Sequence, residues 1–193
     1  MLYRNNAQSR ILEEALIQAR LPYRIYGGQR FFERQEIKDA LSYLRLMNNR
    51  NDDAAFERVV NTPTRGLGDK TLETIRMTAR DRGTTLWQAG VQLIDEKVLP
   101  NRAAMAFSRF VELITALEDD TYDLALHEQF DHAIKSSGLF TMYEMEKGEK
   151  SKARIENLEE LVTAARQFEK PEEADDMSML SAFLSHAALE AGE

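Results

Sequence analysis

From Ile37 onward, apolar side chains return every three or four residues in one segment after another, a spacing that commits most of the chain to packed helices. Ile37, Leu41, Leu44 and Met47 draw one stripe over residues 33–48. Asp52 or Asp53 caps a shorter helix carrying Phe56, Val59 and Val60. That helix closes before Thr62-Pro63, because the residue preceding a proline is pushed out of the helical region. Asp69 opens a helix with Leu72, Ile75 and Ala79, and Gly83 ends it. Thr85 to Gln88 has capping-box spacing, and its helix runs to about Val98. Asn101 caps the next, striped by Phe107, Phe110, Val111, Ile114 and Leu117. Leu126, Phe130 and Ile134 mark a helix that stops at Gly138. Ile155, Leu158, Leu161, Val162 and Ala165 mark another, and the last covers 179–189. Lys- and Glu-rich residues 146–152 and the proline-plus-acid stretch 170–176 read as exposed loops.

The first 28 residues differ. Met1 to Arg4 reads as the tail of a short strand. A helix over 8–20 has Ile11, Ala15 and Leu16 on its apolar side and stops at Pro22. Tyr23-Arg24-Ile25-Tyr26 alternates and reads as a second short strand. Gly27-Gly28 then forms a hinge. The expected fold is therefore mainly α, a compact helical domain preceded by a short strand–helix–strand piece. A domain seldom opens on so short a strand, so the chain reads as cut from a larger protein.

Hydrophobic residues make up 43% of the chain and charged residues 30%, a balance that supports a real core. No apolar run reaches the roughly 18 residues a membrane span needs, and no secretory signal is visible at the N-terminus. The absence of cysteine excludes disulfides and thiolate chemistry and suits a cytoplasmic protein. His127, His132 and His186 do not share any usual ligand spacing, so no metal site is expected. Catalytic motifs are missing too: there is no GxxxxGK[ST], HExxH, GxSxG or DxDxDG. Adjacent acid pairs such as Glu13-Glu14 and Glu159-Glu160 point about 100° apart on a helix and cannot clamp one ion or bond.

Charge is unevenly spread. Residues 1–82 hold 15 Lys and Arg against 11 Asp and Glu, whereas residues 83–193 hold 10 against 22. Any contact with nucleic acid is therefore expected in the first part, although ordinary fluctuation and solvated helix faces alone also account for the split. There, Asn61-Thr-Pro-Thr-Arg-Gly-Leu-Gly-Asp-Lys-Thr71 joins two predicted helices. Gly66 and Gly68 allow a tight turn with a bare outer face, and Leu67 plugs the core. The amides of Gly68, Asp69 and Lys70 then point outward at the positive end of a helix dipole, a seat for a phosphate oxygen. Thr64, Arg65, Lys70 and Thr71 surround it. This is the layout of a helix–hairpin–helix element over 56–82, which holds backbone phosphates whatever the base sequence. A plain interhelical turn with Asp69 as an N-cap is the alternative these residues leave open.

Several runs together resemble the UvrD/PcrA/Rep family of bacterial superfamily 1 DNA helicases. They are Leu2-Tyr-Arg-Asn-Asn-Ala-Gln-Ser-Arg10, Pro22-Tyr-Arg-Ile-Tyr-Gly-Gly28, the stretch from Arg30 to Arg45, Asn61-Thr-Pro-Thr-Arg-Gly-Leu-Gly68, Arg154-Ile-Glu-Asn-Leu-Glu-Glu-Leu161 and Phe183-Leu-Ser-His-Ala-Ala-Leu-Glu190. They fall in family order over essentially the whole chain. The resemblance implies that residues 1–27 are a sliver of the RecA-like domain 2A and that 28–193 are the helical 2B subdomain, with Gly27 and Gly28 at the swivel. It implies duplex phosphate contacts at Gly66-Leu67-Gly68 and single-strand contacts at Arg4 and Asn6. It further implies a parent that steps 3′→5′ in repair and replication using ATP and Mg²⁺. The chain itself, without nucleotide-binding motifs, is expected to bind no cofactor and to be inactive alone. Its expected partners are duplex and junction DNA, the rest of the helicase and repair proteins. Two other readings stand beside this one: a protein-interaction module docking repair partners through the acidic surface after residue 83, and a free-standing helical scaffold.

Overall fold

The computed structural model describes residues 1–25 and 29–192; the expected Gly27-Gly28 hinge and Tyr26 lie outside the described residues. Among the described residues ten α-helices follow one another: α1 Ser9–Gln18, α2 Gln35–Asn48, α3 Asp53–Val59, α4 Asp69–Arg82, α5 Leu86–Asp95, α6 Asn101–Thr121, α7 Leu126–Ser136, α8 Leu139–Glu144, α9 Glu149–Gln167 and α10 Met179–Ala191. Among the described residues there is no strand. Residues 1–4 and 23–25 of the two expected strand segments are in no strand, since a strand exists only through a hydrogen-bonded neighbour. No helix among the described residues is long and apolar enough to cross a membrane.

The helices begin and end close to where the sequence places them, with instructive shifts. Pro100, not Asn101, is the N-cap of α6, consistent with a proline's fixed φ at a helix entrance. The expected loop at 146–152 is shorter than predicted, because α9 already starts at Glu149 behind Gly148, whose φ is +91°. Ser151 there is buried and donates to the Tyr143 carbonyl at 2.7 Å. Helix α8 has no apolar stripe long enough to announce itself, yet Leu139 and Tyr143 carry it into the core.

α2 runs through the centre, packing on α3, α6, α7, α9 and α10. Two aromatic clusters fill the interior. Phe56, Phe107 and Phe110 meet with centroids 6.0–6.3 Å apart, and Phe32, Phe130 and Phe168 surround Phe183. Helix α5 crosses α6 at Gly90, where a Cβ would lie 2.3 Å from Phe107 Cζ; no larger residue fits that crossing.

Helix α1 is turned the opposite way from its prediction. Ile11 is 55% exposed and Ile17 40%, while Ser9, Arg10 and Glu13 are buried against the helical body. The result is a polar seam. Arg34, 6% exposed, donates to the Asn6 carbonyl at 2.6 Å, to Ser9 Oγ at 2.7 Å and to Asn157 Oδ1 at 3.1 Å. Arg10 donates to Glu160 at 2.7 Å, to Glu14 at 2.8 Å and to Gln167 at 2.9 Å. Glu13 accepts from Ser9 Oγ at 2.8 Å and from the Phe31 amide at 3.3 Å. Burial nonetheless holds the Glu13 carboxyl above its ordinary value and the Arg34 guanidinium below its own, against the pull of their neighbours.

Candidate nucleic-acid interface

The nine residues 60–68 join α3 to α4 through a cis Thr62-Pro63 bond and the glycine pair. α3 packs chiefly on α2 and α4 on α5. Between them, Arg76 of α4 grips Glu57 of α3 at 2.6 and 2.8 Å. Leu67 is 2% exposed and anchors the turn in the core, as its apolar position between glycines predicted.

Asn61 holds the turn closed. Its Nδ2 donates to the Leu67 carbonyl at 2.9 Å and its Oδ1 accepts from the Arg65 amide at 2.7 Å. Tyr43 reaches up from α2 and donates to the Thr62 carbonyl at 2.5 Å. Burial pushes the Tyr43 phenol up to about 12, so it keeps its proton.

Arg65 departs from the sequence expectation. Rather than standing beside a phosphate, its guanidinium turns inward. It donates to the carbonyls of Val59 at 2.9 Å, Pro63 at 3.0 Å and Ser137 at 3.3 Å, and also to Tyr43 Oη. It lies over the rings of Phe110 and Tyr43 at 5.3 and 5.6 Å. The physical reason is that carbonyl oxygens crowd the inner face of the turn, and one planar guanidinium donates to several of them together. Arg65 therefore positions the hairpin, and both of its terminal nitrogens are already engaged.

The outer face is different. Gly66 has φ +81°, a conformation that L side chains rarely adopt, so glycine is required by the backbone. Gly68, the N-cap of α4, has φ −79° and ψ 164°, open to any residue, and a Cβ there would meet nothing within 4 Å. Ser, Asp or Asn would cap this helix better. Asp69, expected as a cap on the alternative reading, is instead the first helical residue. Among the described residues, the amides of Gly68, Asp69 and Lys70 donate to no protein acceptor, and the helix makes its first return at Thr71, whose amide reaches the Gly68 carbonyl at 3.0 Å. Gly66, Gly68, Lys70 and Thr64 are exposed and Thr71 is half-buried. Three unbonded donors thus stand at the positive end of a 14-residue helix with one lysine beside them.

Arg4 and Asn6 lie elsewhere, in the N-terminal segment packed on α9. Both are exposed. The Asn6 carbonyl accepts from Arg34 and from Ser9 Oγ at 2.9 Å, and the Arg4 amide donates to Gln8 at 2.9 Å. The structure brings Arg4 and Asn6 to one short turn and does not join them to the hairpin. Sequence reasoning missed Asn61 and Tyr43. Asn61 sits where the helix-ending Asn-Thr-Pro run could have drawn notice; nothing local marks Tyr43.

The profile of the UvrD-like helicase C-terminal domain matches residues 1–193. The DNA helicase II of Escherichia coli K12 is 70% identical over the whole chain, which covers 27% of that protein. The DNA helicase II of Haemophilus influenzae is 62% identical, with 26% of it covered. The ATP-dependent DNA helicase PcrA of Staphylococcus aureus is 35% identical over 98% of the chain, again covering 26%. The chain thus spans about a quarter of the length of these curated relatives. With a profile matched from end to end, it belongs to the family of UvrD-like helicase C-terminal domains.

Proposed function

We propose that this chain is the duplex-gripping piece of an ATP-dependent 3′→5′ DNA helicase that works in cytoplasmic DNA repair and replication. Residues 28–193 act as its 2B subdomain and residues 1–27 as a sliver of domain 2A. The single observation that carries this is the glycine-framed entrance of α4, where Leu67 is anchored inside and three amides have no acceptor among the described residues. A phosphate oxygen is the ligand such an entrance suits, and main-chain donors take it without reading bases. Gly66, Leu67 and Gly68 set the turn, Lys70 adds charge, and Thr64 and Thr71 offer hydroxyls. Arg65 supports from inside.

The reversed α1 supports the 2A assignment. Its outward Ile11 and Ile17 present the face that a sheet would cover. Arg4 and Asn6 are the residues of that segment we assign to single-stranded DNA. ATP and Mg²⁺ belong to the remainder of the helicase.

The test is duplex binding by fluorescence anisotropy at several salt concentrations. We expect affinity that falls steeply as salt rises. Gly66→Asp with Lys70→Glu should abolish it while the circular dichroism of the helices is kept. A double variant that binds duplex like the unmodified chain at equal salt removes the hairpin from the proposal. Salt-insensitive or absent binding, with a repair protein retained instead, favours the interaction-module reading.

A further inference from the structure

The last helix carries a histidine that duplex binding leaves unused. His186 and Glu190 stand one turn apart on α10, and Glu14 of α1 faces them across the seam. His186 Nε2 lies 2.7 Å from Glu190 Oε1 and 4.0 Å from Glu14 Oε1. One ligand atom from each of the three falls within 4.8 Å of the other two. An ion bound at about 2.0–2.2 Å to imidazole nitrogen and carboxylate oxygen fits among atoms so placed after small side-chain rotations.

The surroundings are those of a supported ligand set. Arg10 donates to Glu14 Oε1 at 2.8 Å and is itself fixed by Glu160 and Gln167, so the Glu14 carboxylate is held in place through the oxygen that faces His186. The rings of Phe168, Phe32 and Phe183 stand 5.6, 6.3 and 6.3 Å from the His186 imidazole and wall it in. Glu14 and His186 line an open cavity of about 430 Å³, which gives an ion a path in and space for water ligands. Two carboxylates and a neutral imidazole carry two negative charges. Arg10, paired with Glu14, balances one of them, and a proton on His186 or a bound cation answers the other.

We propose that Glu14, His186 and Glu190 form a site for a divalent transition-metal ion of the zinc class, which ties the first helix of the chain to the last. One imidazole with two carboxylates selects Zn²⁺, Co²⁺ or Ni²⁺ over Mg²⁺ and Ca²⁺, which prefer oxygen alone. The histidine count had pointed away from a metal because the other two ligands are carboxylates, one of them far away in sequence. This inference does not depend on duplex binding.

The test titrates the metal-free 193-residue chain with Co²⁺ and with Zn²⁺. We expect a single saturable equivalent, a visible Co²⁺ band that Zn²⁺ erases and millimolar Mg²⁺ does not, and a melting temperature that rises with Zn²⁺. His186→Ala and Glu14→Gln should each weaken binding by roughly tenfold or more, with helical circular dichroism unchanged because both side chains are partly exposed. Several weak equivalents indifferent to both substitutions, or no saturable binding, overturns the site. Loss in His186→Ala with none in Glu14→Gln confines the ion to α10 and overturns the tie to α1.

Discussion

Two arginines far apart in the chain perform the same local task in opposite settings. Arg34 at the seam and Arg65 at the hairpin each bring several carbonyl oxygens together under one guanidinium. Around Arg34 the polar groups close on one another: Glu13 takes the Phe31 amide, Asn157 donates to Glu36 at 2.6 Å, and Ser9 serves both Arg34 and Glu13. Around Arg65 the inner face closes equally well, but three donors remain on the outer face. The seam is balanced and so holds two parts of the chain together. The hairpin has a surplus and so is suited to holding something else.

The largest effect that can test this contrast is at the seam. Arg34→Met should cost about 3–5 kcal/mol, because it removes the cation facing the buried Glu13 carboxylate and leaves the buried Asn157 Oδ1 without its donor. Urea unfolding measures it, and a loss under about 1 kcal/mol would mean that the seam is wetter and looser than its distances imply. The next is at the hairpin. Gly68→Asp supplies the missing cap, so stability should stay level or gain a few tenths of a kcal/mol. Its carboxylate also occupies the amides and repels phosphate, so duplex affinity should fall roughly ten- to a hundredfold. Matched melting curves and anisotropy titrations would separate the two, and an unchanged affinity would erase the distinction between surplus and balance.

The smallest effect is a pH dependence at the far end of the seam, measured with a chelator present. Hydrogen bonding to Glu190, aided by the charges of Glu190 and Glu14, raises His186 above its ordinary value despite burial and Arg10. Its protonated form is favoured by folding, so this stabilisation is complete below about pH 6.5 and fades as pH rises through the higher folded-state value. His186→Gln should flatten that fall in melting temperature between neutral and mildly acidic pH. Parallel curves for the two chains would show that the histidine does not clamp α1 to α10.

Much of the fold was legible because a helix writes its buried face into three- and four-residue spacing. Ile37, Leu41 and Leu44 had one place to go, and Leu67 between two glycines had one role. What stayed hidden depends on partners distant in sequence. The face that α1 buries was chosen by Arg34 and Asn157, not by its own Ile11. The inward turn of Arg65 was set by Tyr43 and Phe110. The helix at Leu139–Glu144 was too short for its period to register. The grouping of Glu14 with His186 joins residues at opposite ends of the chain. Composition reports which side chains exist, and only packing decides which of them meet.

The donors at the α4 entrance belong to the main chain, and that has a consequence for how this corner tolerates change. A peptide N–H is the same in every amino acid except proline. Side chains at Asp69, Lys70 and Thr71 can therefore drift under substitution while the three-pronged cradle endures. The torsion at Gly66, the plug at Leu67, the bonds that Asn61 and Arg65 make inside the turn and the absence of proline across 68–70 must persist, while the outward side chains of this corner can be rewritten and its shape kept.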